Sequence, residues 1–477
     1  MIKDFTQARD VLAGFMPLPG TLHKAYKLER MRALMNRLGD PQDSYKVIHV
    51  AGTSGKTSTS YYLASLLRAA GKEVGLTVSP HIDEVNERVQ LNLKPLLEPE
   101  FCADLNEFLE LVVSTGIKPT YFEVLIAFAF WKFAQAQVDY SVVEVGLGGL
   151  LDATNVITRL DKVCIITDIG LDHVDVLGKT LSEIATQKAG IIQSHNPLFA
   201  YRAPTEVRDV LRQVAAQKQT TLEEVTLPPS EKLPANLPLF QQRNWYLAYE
   251  AYKYLVGRDG LSMLSPHEEI TFQFSPALSG QTPPQLTRST EGTPPSPEQC
   301  LTQKSSSDIQ EVISSGGLSQ EKLLATTRTH IPARMEVLQY KGKTIVLDGA
   351  HNRQKMQMLA DSLKEKFPAM GIATLLSVVK DYDFRERTNV APIAALSKRI
   401  IVTGFASQQD FPKISAPPDL VAEHLQQQGF KDVDVIEDPK EAFERLLKCP
   451  EPVLLVTGSF YLMNHIRPLL FKEAAND

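Results

Sequence analysis

A glycine-rich segment near the N-terminus has the residue types that bind phosphate. The segment GTSGKTS, residues 52–58, lies between an apolar run and a stretch with helical periodicity. Backbone N–H groups at the start of a helix form a cradle for anions, and Lys56 adds a positive charge suited to the β- and γ-phosphates. Thr57 offers a hydroxyl for Mg²⁺. The first glycine of a full Walker A pattern would fall at Val50, so a plain glycine turn is the alternative, but such a turn does not need Lys56.

Further polar groups follow apolar runs or lie on a predicted helix. Glu144 ends the run SVVE and is followed by glycines that permit close approach of a ligand. Its carboxylate suits Mg²⁺, although a glutamate at a strand end is often only the solvated start of a loop. Asp172 and His173 follow another apolar run, and Lys188 lies on a helix; taken singly, such residues are more often structural. The turn DGAHN, residues 348–352, is either a ligand-binding crevice or a helix cap.

Alternating strands and helices position these groups. The predicted strands of the first half are KVIHVAG, EVGLTV, VDYSVVEVG and KVCIITDIG. Residues 120–137 form a helix that is apolar on most sides, and Thr180 with Glu183 makes a capping box ahead of the helix that contains Lys188. This alternation predicts an α/β fold with a doubly wound, mostly parallel sheet.

A change of composition divides the chain. Residues 258–308 are rich in Ser, Thr, Pro and Gln, which predicts a flexible insertion or linker, most simply one without a function. Alternation resumes near residue 334 with the predicted strands TIVLDGAH, ATLLSVV, RIIVTG, VDVIE and PVLLVTGS. We therefore predict a first domain over residues 1–257, a linker over 258–325 and a smaller second α/β domain over 326–477.

The composition excludes several classes of protein. Hydrophobic residues make up 43% and charged residues 22%, which is ordinary for a globular chain, and the net charge of -6 argues against a nucleic-acid binder. The four cysteines show no CxxC pair, which predicts reduced thiols without a disulfide framework or zinc site. Neither a signal peptide nor an apolar run of about eighteen residues is present, so we expect a cytoplasmic protein without membrane contact. By default, we also expect a monomer.

The motifs in their order resemble the folylpolyglutamate synthase/dihydrofolate synthase family, within the Mur ligase superfamily. The resemblance extends from about residue 28 to residue 467 and leaves out only the Pro/Ser-rich segment. The segments that show it are GTSGKTS, SPHIDEVNERVQ, TYFE, EVGLGGLLDATN, TDIGLDHVDVLGKTLSEIATQKAGII, QQRNWYLAYEA, PARMEVL, LDGAHN and VTGSFYL.

The resemblance implies both a fold and a reaction. It implies a P-loop-type ATPase domain of the Mur ligase central type, followed by a smaller Rossmann-like domain of the glutamate-ligase type. The implied reaction is ATP- and Mg²⁺-dependent addition of L-glutamate to a folate or to dihydropteroate, through an acyl phosphate. ATP, L-glutamate and the folate or pteroate would be the small-molecule partners.

The same resemblance implies roles for individual residues. The implied catalytic residues are Lys56, Lys188, which is carbamylated in the family, and His351. The implied Mg²⁺ ligands, direct or through water, are Ser79, Glu144 and His173. The implied nucleotide contacts are Gly52, Thr53, Ser54, Gly55, Lys56, Thr57, Ser58, Asn244, Arg334 and Asp348. The implied contacts to the pterin end are Tyr121, Phe122, Asp152, Ala153 and Thr154, with residues 23–26 as a further candidate.

Some positions depart from the family pattern and keep alternatives open. Leu150 replaces an arginine, Gln187 replaces a glutamate, and Tyr382 replaces a lysine near the expected amino-acid site. Losing cations where anionic substrates bind favours a second hypothesis, a Mur-type ligase for a non-folate carboxylate. A third is a nucleotide-binding protein without turnover, and the retained lysines and metal-ligand set argue against it. A P-loop GTPase or kinase is disfavoured because no NKxD-like motif follows.

Overall fold

The computed structural model describes residues 1–16, 28–229, 232–260, 317–380, 390–407 and 413–474. Two separate sheets, each built mainly of parallel strands, form the framework, and a two-stranded ribbon accompanies the second. The predicted α/β class is confirmed. Most of the predicted linker, residues 261–316, lies outside the described residues, as do residues 23–26 and Tyr382.

The first sheet has eight strands. They are β1 (Lys46–Ala51), β2 (Val74–Thr77), β3 (Gln90–Leu91), β4 (Lys94–Pro95), β5 (Tyr140–Glu144), β6 (Val163–Ile166), β7 (Leu198–Tyr201) and β8 (Leu222–Val225). Their order is β4-β3-β2-β5-β1-β6-β7-β8. Six of them are parallel, namely β2, β5, β1, β6, β7 and β8, and β3 and β4 form an antiparallel edge. Because β1 lies between β5 and β6, their carboxyl ends form one continuous rim, with Glu144 paired to Val50.

Helices cover both faces of this sheet, as the doubly wound prediction requires. They are α1 (Phe5–Ala13), α2 (Leu28–Arg37), α3 (Lys56–Ala69), α4 (Glu98–Ser114), α5 (Tyr121–Gln135), α6 (Val174–Leu177), α7 (Leu181–Ala189), α8 (Thr205–Gln217) and α9 (Leu239–Asp259), with 3₁₀ turns at Pro41–Asp43, Val85–Arg88 and Ala153–Val156. On β1, Val47 packs with α5 in one core, whereas Ile48 and Val50 pack with α3 and α9 in another. This period of two follows from the alternation of side chains along a strand.

A short helix, α10 (Gln320–Thr326), packs on the core that contains α3 and α9. The indole N–H of Trp245 on α9 donates to Thr326 Oγ1 at 2.9 Å, and Lys322 Nζ donates to Ala69 O at 3.3 Å. Part of the predicted linker is therefore ordered against the first domain, because it buries apolar side chains such as Leu318 there. The helix α9 also continues to Asp259, two residues beyond the predicted boundary at 257.

The second sheet has six strands. The strands of this half are β9 (Glu336–Tyr340), β10 (Lys343–Leu347), β11 (Ile372–Leu376), β12 (Ser397–Val402), β13 (Ala406–Ser407), β14 (Lys413–Ile414), β15 (Val433–Val435) and β16 (Val453–Thr457). The sheet order is β15-β12-β11-β16-β10-β9, parallel except for β9, and β13 pairs with β14. Its helices are α11 (Arg353–Lys366), α12 (Ala391–Ala394), α13 (Pro418–Gln427), α14 (Pro439–Leu447) and α15 (Phe460–Ala474).

Two sequence-based exclusions can be compared with the described part of the chain. Within it, no helix combines the length and the apolar character needed to cross a membrane. The cysteines that it contains, Cys102, Cys164 and Cys449, are buried and free.

Candidate active site

One cleft between the two sheets gathers most of the predicted site residues. It lies where the carboxyl ends of β1, β5 and β6 face the turn before α11, which is the edge where parallel sheets bind ligands. The predicted catalytic, nucleotide-binding and metal-binding residues all line it: Gly52, Thr53, Ser54, Gly55, Lys56, Thr57, Ser58, Ser79, Glu144, His173, Lys188, Asn244, Arg334, Asp348 and His351.

The glycine-rich loop follows β1 directly and leads into α3. Gly52 has a φ of 151°, and a Cβ atom there would lie 1.8 Å from Thr167 Oγ1. Gly55 has a φ of 90°, and its Cβ would lie 2.4 Å from Asn244 Oδ1. Both positions therefore require glycine, on conformational and on steric grounds. The second contact also places Asn244 of α9 against the loop.

Two lysine side chains converge on one carbonyl group of this loop. Lys56 Nζ donates to Gly52 O at 3.0 Å, and Lys188 Nζ donates to the same oxygen at 2.8 Å. Only 4% of Lys188 is exposed. Burial, with the charge of Lys56, lowers the pKa of Lys188 to about 7, against a smaller opposite effect of Asp172. A large fraction of this amine is therefore uncharged at neutral pH, whereas a solvated lysine is protonated.

Glu144 is a buried carboxylate at the centre of the rim. Its Oε1 accepts from Thr57 Oγ1 at 2.9 Å, and its Oε2 accepts from the backbone N–H of Ser79 at 3.3 Å. Arg334 Nη2, from the second half of the chain, donates to the same Thr57 hydroxyl at 3.2 Å. Burial raises the pKa of Glu144, while Lys56 and Arg334 oppose that shift. These contacts join four predicted site residues from separate parts of the sequence.

The oxygen atoms around Glu144 fit the preferences of Mg²⁺. This ion binds through one or two carboxylates and fills its other positions with water and phosphate oxygens. The described residues contain no cluster of three His, Cys, Asp or Glu side chains that could hold a metal ion. His173 lines the same cleft but is exposed, with a φ of 49° at the start of α6.

The turn between β10 and α11 is shaped by Asp348. Its Oδ2 accepts from Met335 N, and its Oδ1 accepts from Ala350 N, both at 2.8 Å. Burial raises the pKa of this carboxyl, and Arg334 opposes the shift. The guanidinium of Arg334 also lies 3.8 Å from the ring centroid of Phe460, a cation–π contact. Asp348 therefore links the turn before α11 to the segment that carries Arg334, and both line the cleft.

His351 is held in one tautomer. Its Nδ1 lies 2.9 Å from Gly349 O, and a carbonyl only accepts, so Nδ1 bears the proton and Nε2 is an acceptor. Lys355 Nζ lies 3.0 Å from that Nε2. Burial, with the charge of Lys355, lowers the pKa of His351 to about 3, so this imidazole is neutral at physiological pH.

A cluster of polar side chains spans the cleft, and one of its members, Lys355, was not singled out from the sequence. Asp172 follows β6, and its Oδ2 accepts from Asn352 Nδ2 at 3.1 Å and lies 3.7 Å from Lys355 Nζ. Burial tends to raise the pKa of Asp172, but Lys355 and the nearby histidines hold it well below its usual range. A carboxylate placed after a strand gave a signal for Asp172, whereas Lys355 in a helix gave none.

The residues predicted to bind the pterin end do not line this cleft. Asp152, Ala153 and Thr154 are buried. Asp152 Oδ2 accepts from Leu147 N at 2.8 Å, and its Oδ1 accepts from Thr154 Oγ1 at 2.6 Å. Because that hydroxyl donates to Asp152, it accepts from His49 Nε2, 2.8 Å away. These polar groups are engaged within the protein and support the backbone of Leu147, which does line the cleft.

Two predicted aromatic contacts lie behind the same wall. Phe122 packs against Gly146, where a Cβ atom would lie 2.4 Å from Phe122 Cζ. Tyr121 is buried, and the Arg88 guanidinium lies 5.8 Å from its ring centroid. Gly146 lines the cleft, so Phe122 contacts its wall from the protein side.

The departures from the family pattern lie at different distances from the cleft. Leu150 is 41% exposed, and its backbone N–H donates to Gln187 O at 2.7 Å. Neither Leu150 nor Gln187 lines the cleft. Tyr382 and the candidate residues 23–26 lie outside the described residues, so their roles stay predictions.

The fold and cleft define an ATP-dependent ligase of the Mur type. The model of the Mur ligase middle domain matches residues 50–224, and that of the Mur ligase glutamate ligase domain matches residues 333–460. A Bacillus subtilis protein named dihydrofolate synthase/folylpolyglutamate synthase is 30% identical over 455 residues, which cover 93% of this chain and 94% of that protein. This chain therefore belongs to the folylpolyglutamate synthase/dihydrofolate synthase family.

Further comparisons agree with this assignment. A folylpolyglutamate synthase of Lacticaseibacillus casei is 30% identical over 452 residues, which cover 92% of this chain and 94% of that protein. The solved structure of Mycobacterium tuberculosis folylpolyglutamate synthase aligns with a TM-score of 0.71 at 24% identity and covers 98% of each chain. Escherichia coli FolC in complex with DHPP and ADP aligns with a TM-score of 0.72 at 23% identity, over 100% of this chain and 99% of that one. These structures share the fold.

Proposed function

We propose that this protein joins L-glutamate to a folate in an ATP- and Mg²⁺-dependent reaction. The acceptor is a tetrahydrofolate, dihydropteroate or both. One observation supports the proposal most directly. Glu144 and Arg334 both hydrogen bond to the Thr57 hydroxyl, and Lys56 donates to Gly52 O of the same loop, in the cleft between the two sheets. The names of the relatives that match more than nine-tenths of the chain indicate the folate substrate, and they disfavour the alternative of a non-folate carboxylate.

In this proposal, residues 52–58 bind the phosphates of ATP. Lys56 provides the charge, and Asn244, Arg334 and Asp348 complete the nucleotide site. Glu144, the Ser79 hydroxyl and His173, with help from Thr57, would hold Mg²⁺, directly or through water. The bound ion would neutralise charge on the transferred phosphoryl group. The protein's own contribution is to position these groups before the reaction, which the rigid glycine loop and the buried Glu144 favour.

The reaction divides into two displacements. An oxygen of the substrate carboxylate attacks the γ-phosphorus of ATP, the bond to the β-phosphate oxygen breaks, and ADP leaves. The amine of L-glutamate then attacks the carbonyl carbon of the acyl phosphate, loses a proton and displaces inorganic phosphate. A carboxylate lacks a good leaving group, and phosphorylation provides one. His351 lines the cleft with a neutral imidazole, and we propose that it acts near this centre.

We also propose that Lys188 is carbamylated. Carbamylation joins the uncharged amine to CO₂, releases a proton and turns a cation into an anionic oxygen ligand. The lowered pKa of Lys188, about 7, supports this because the reactive uncharged form is abundant near neutral pH. Its position against Gly52 O would bring the new carboxylate close to the phosphate loop.

ATP consumption by the purified protein tests the proposed reaction. The protein is mixed with Mg²⁺, ATP and L-glutamate, and dihydropteroate or tetrahydrofolate is added in turn while ADP is measured. ADP release that depends on one folate and on glutamate is the expected result, and Lys56→Met should abolish it. ADP release that no folate stimulates would favour the non-folate ligase, and ATP binding without turnover would favour the regulatory hypothesis.

Three further expectations remain predictions. They are the division into an ATPase domain over residues 1–257, a linker over 258–325 and a glutamate-ligase-type domain over 326–477, the monomeric state, and the cytoplasmic location. Analytical ultracentrifugation tests the monomeric state. Expression of residues 1–260 alone, with measurement of their solubility, tests the domain division.

A further inference from the structure

The cleft contains a lysine that the proposed reaction has not used. Lys355 lies in the first turn of α11, directly after the turn of Asp348 and His351, and its side chain is 20% exposed. Helix N-termini favour anions over cations, so local helix energetics do not explain a lysine at this position. The side chain nevertheless lines the same cleft as the phosphate loop.

The contacts of Lys355 leave much of its ammonium group available. Among the described residues, its one hydrogen bond goes to His351 Nε2 at 3.0 Å. Asp172 Oδ2 lies 3.7 Å from Nζ, close enough for charge attraction but too far for a hydrogen bond. That same oxygen accepts from Asn352 Nδ2. An ammonium has three N–H donors, so two of them can bind a ligand anion without breaking the contact to His351.

The charges around the cleft indicate which anion that is. Burial lowers the pKa of Lys355 to about 8; Asp172 opposes that shift, and repulsion from Lys56 and Arg334 adds to it. Lys188 is affected by Lys56 and Lys355 in the same way. Cations that repel one another around one cavity are relieved by a multiply charged anion placed between them. A triphosphate at the loop of Lys56 is such an anion.

The acidic groups nearby offset part of this repulsion, and most of them have other partners as well. Glu144 accepts from Thr57 and Ser79, and Asp348 accepts from two backbone N–H groups. Asp168 forms an ion pair with Arg243 at 2.7 Å. Asp172 remains as the carboxylate nearest to Lys355, and the pair joins the first sheet to the second.

We propose that Lys355 is a further binding residue for the terminal phosphoryl group of ATP, contributed by the second sheet opposite Lys56. Asp172 and His351 hold its ammonium at the cleft until the nucleotide binds. This proposal rests on the ATP-dependent function proposed above. It adds a contact that distinguishes a triphosphate from a diphosphate, so loss of the γ-phosphate would also weaken the link between the two sheets.

Nucleotide affinity, measured without turnover, tests the proposal. Isothermal titration calorimetry with Mg²⁺ compares ADP with AMPPCP, a triphosphate analogue, for the wild-type protein and for Lys355→Met, Lys355→Arg and Lys364→Met. Lys355→Met should lose about tenfold in affinity for AMPPCP and less than about twofold for ADP, since one hydrogen bond between charged groups is lost. Lys355→Arg should keep most of the affinity, and Lys364→Met, an exposed lysine of the same helix, should match the wild type.

Each other outcome is decisive. Equal weakening of ADP and AMPPCP by Lys355→Met would overturn the γ-specific role, and so would unchanged affinity for both. A raised KM for glutamate or for the folate, with AMPPCP affinity intact, would overturn it in favour of a carboxylate contact. Loss of AMPPCP affinity in Lys355→Arg, with an unchanged melting temperature, also contradicts binding through charge. A wild-type protein that binds neither nucleotide overturns the proposed function and this proposal with it.

Discussion

Single side chains in the cleft have their properties set by burial and by charges from distant parts of the chain. Lys188 has an ordinary sequence environment, yet its pKa falls to about 7 because it is buried beside Lys56. His351 stays neutral because it is buried beside Lys355. Shifts of this kind concentrate at functional sites, since they adjust a side chain to its chemical task.

Replacement of Lys188 by alanine should abolish most activity. The loss should be at least about 100-fold, as for groups that support a metal site. A small added carboxylate, such as acetate, should restore part of it by standing in for the carbamate. ADP release is measured with and without the additive, and Lys179→Ala, an exposed lysine before the same helix, is the control. Full activity in Lys188→Ala would show that the carbamate role is wrong.

The carbamate should also depend on pH. The pKa of Lys188 is lowered from the ordinary value to about 7, so the uncharged amine is scarce below that pH and abundant above it. Carbamate formation should therefore rise as pH increases through about 7, whereas an exposed lysine would require a pH near about 10. ¹³C NMR of protein in ¹³C-bicarbonate follows the signal, and Lys188→Ala identifies it. A carbamate level that is constant from pH 6 to pH 8, expressed per dissolved CO₂, would contradict the shift.

At the scale of elements, local sequence signals place the functional groups. The helix α7 begins at a capping box in which Thr180 Oγ1 accepts from Glu183 N and the Glu183 side chain returns to Thr180 N. This start sets which face of the helix turns inward, and Lys188 lies on that face. The box satisfies N–H groups that have no partner within the helix.

Removal of this cap should weaken α7. Thr180→Ala should lower the free energy of unfolding by about 1 kcal/mol, because an N-cap acceptor is lost. Urea denaturation measures the change. Thr186→Ala is the matched control, since within the described part of the chain its exposed hydroxyl donates only to Ser182 O of the same helix, and it should change stability by less than about 0.5 kcal/mol. Equal effects of the two substitutions would argue against the capping role.

At the scale of the whole molecule, buried ionic contacts join the two sheets around the cleft. Arg467 of α15 donates to both oxygens of Glu336, at 2.8 and 2.7 Å, and also contacts Asp83 of the first half. Glu336 in turn accepts from His330 and from Ala333 N, beside Arg334. This network connects the loop after β2 with the turn that presents Arg334 to Thr57.

Replacement of Arg467 should therefore affect both stability and the nucleotide site. Arg467→Met leaves Glu336 buried without its cation, which should lower the free energy of unfolding by about 3–5 kcal/mol and raise the KM for ATP. Arg445→Met, which breaks a surface pair with Asp434, is the control and should cost less than about 1 kcal/mol. Urea denaturation and ATP titration provide the two readouts, and comparable losses in both variants would contradict the structural role of Arg467.

Much of the framework could be predicted because its signals are local. The strands β1, β5, β10 and β16 are buried apolar runs, and the glycine loop combines its residues within seven positions. The short edge strands β3 and β4 and the ordered helix α10 were not predicted, since each depends on a distant surface to pack against. The pterin-side residues were predicted from resemblance alone and stay a prediction; in the structure Asp152 and Thr154 hydrogen bond to each other.

The sequence by itself determined the α/β class, the glycine-rich turn after β1 and the strand-end positions of Glu144 and Asp348, because hydrophobic period and turn chemistry act over a few residues. Only the tertiary structure decided that Arg334 reaches Thr57, 277 positions away, and that Lys355 faces Asp172. Such contacts depend on how the two sheets pack together, and that packing leaves no periodic pattern in either segment.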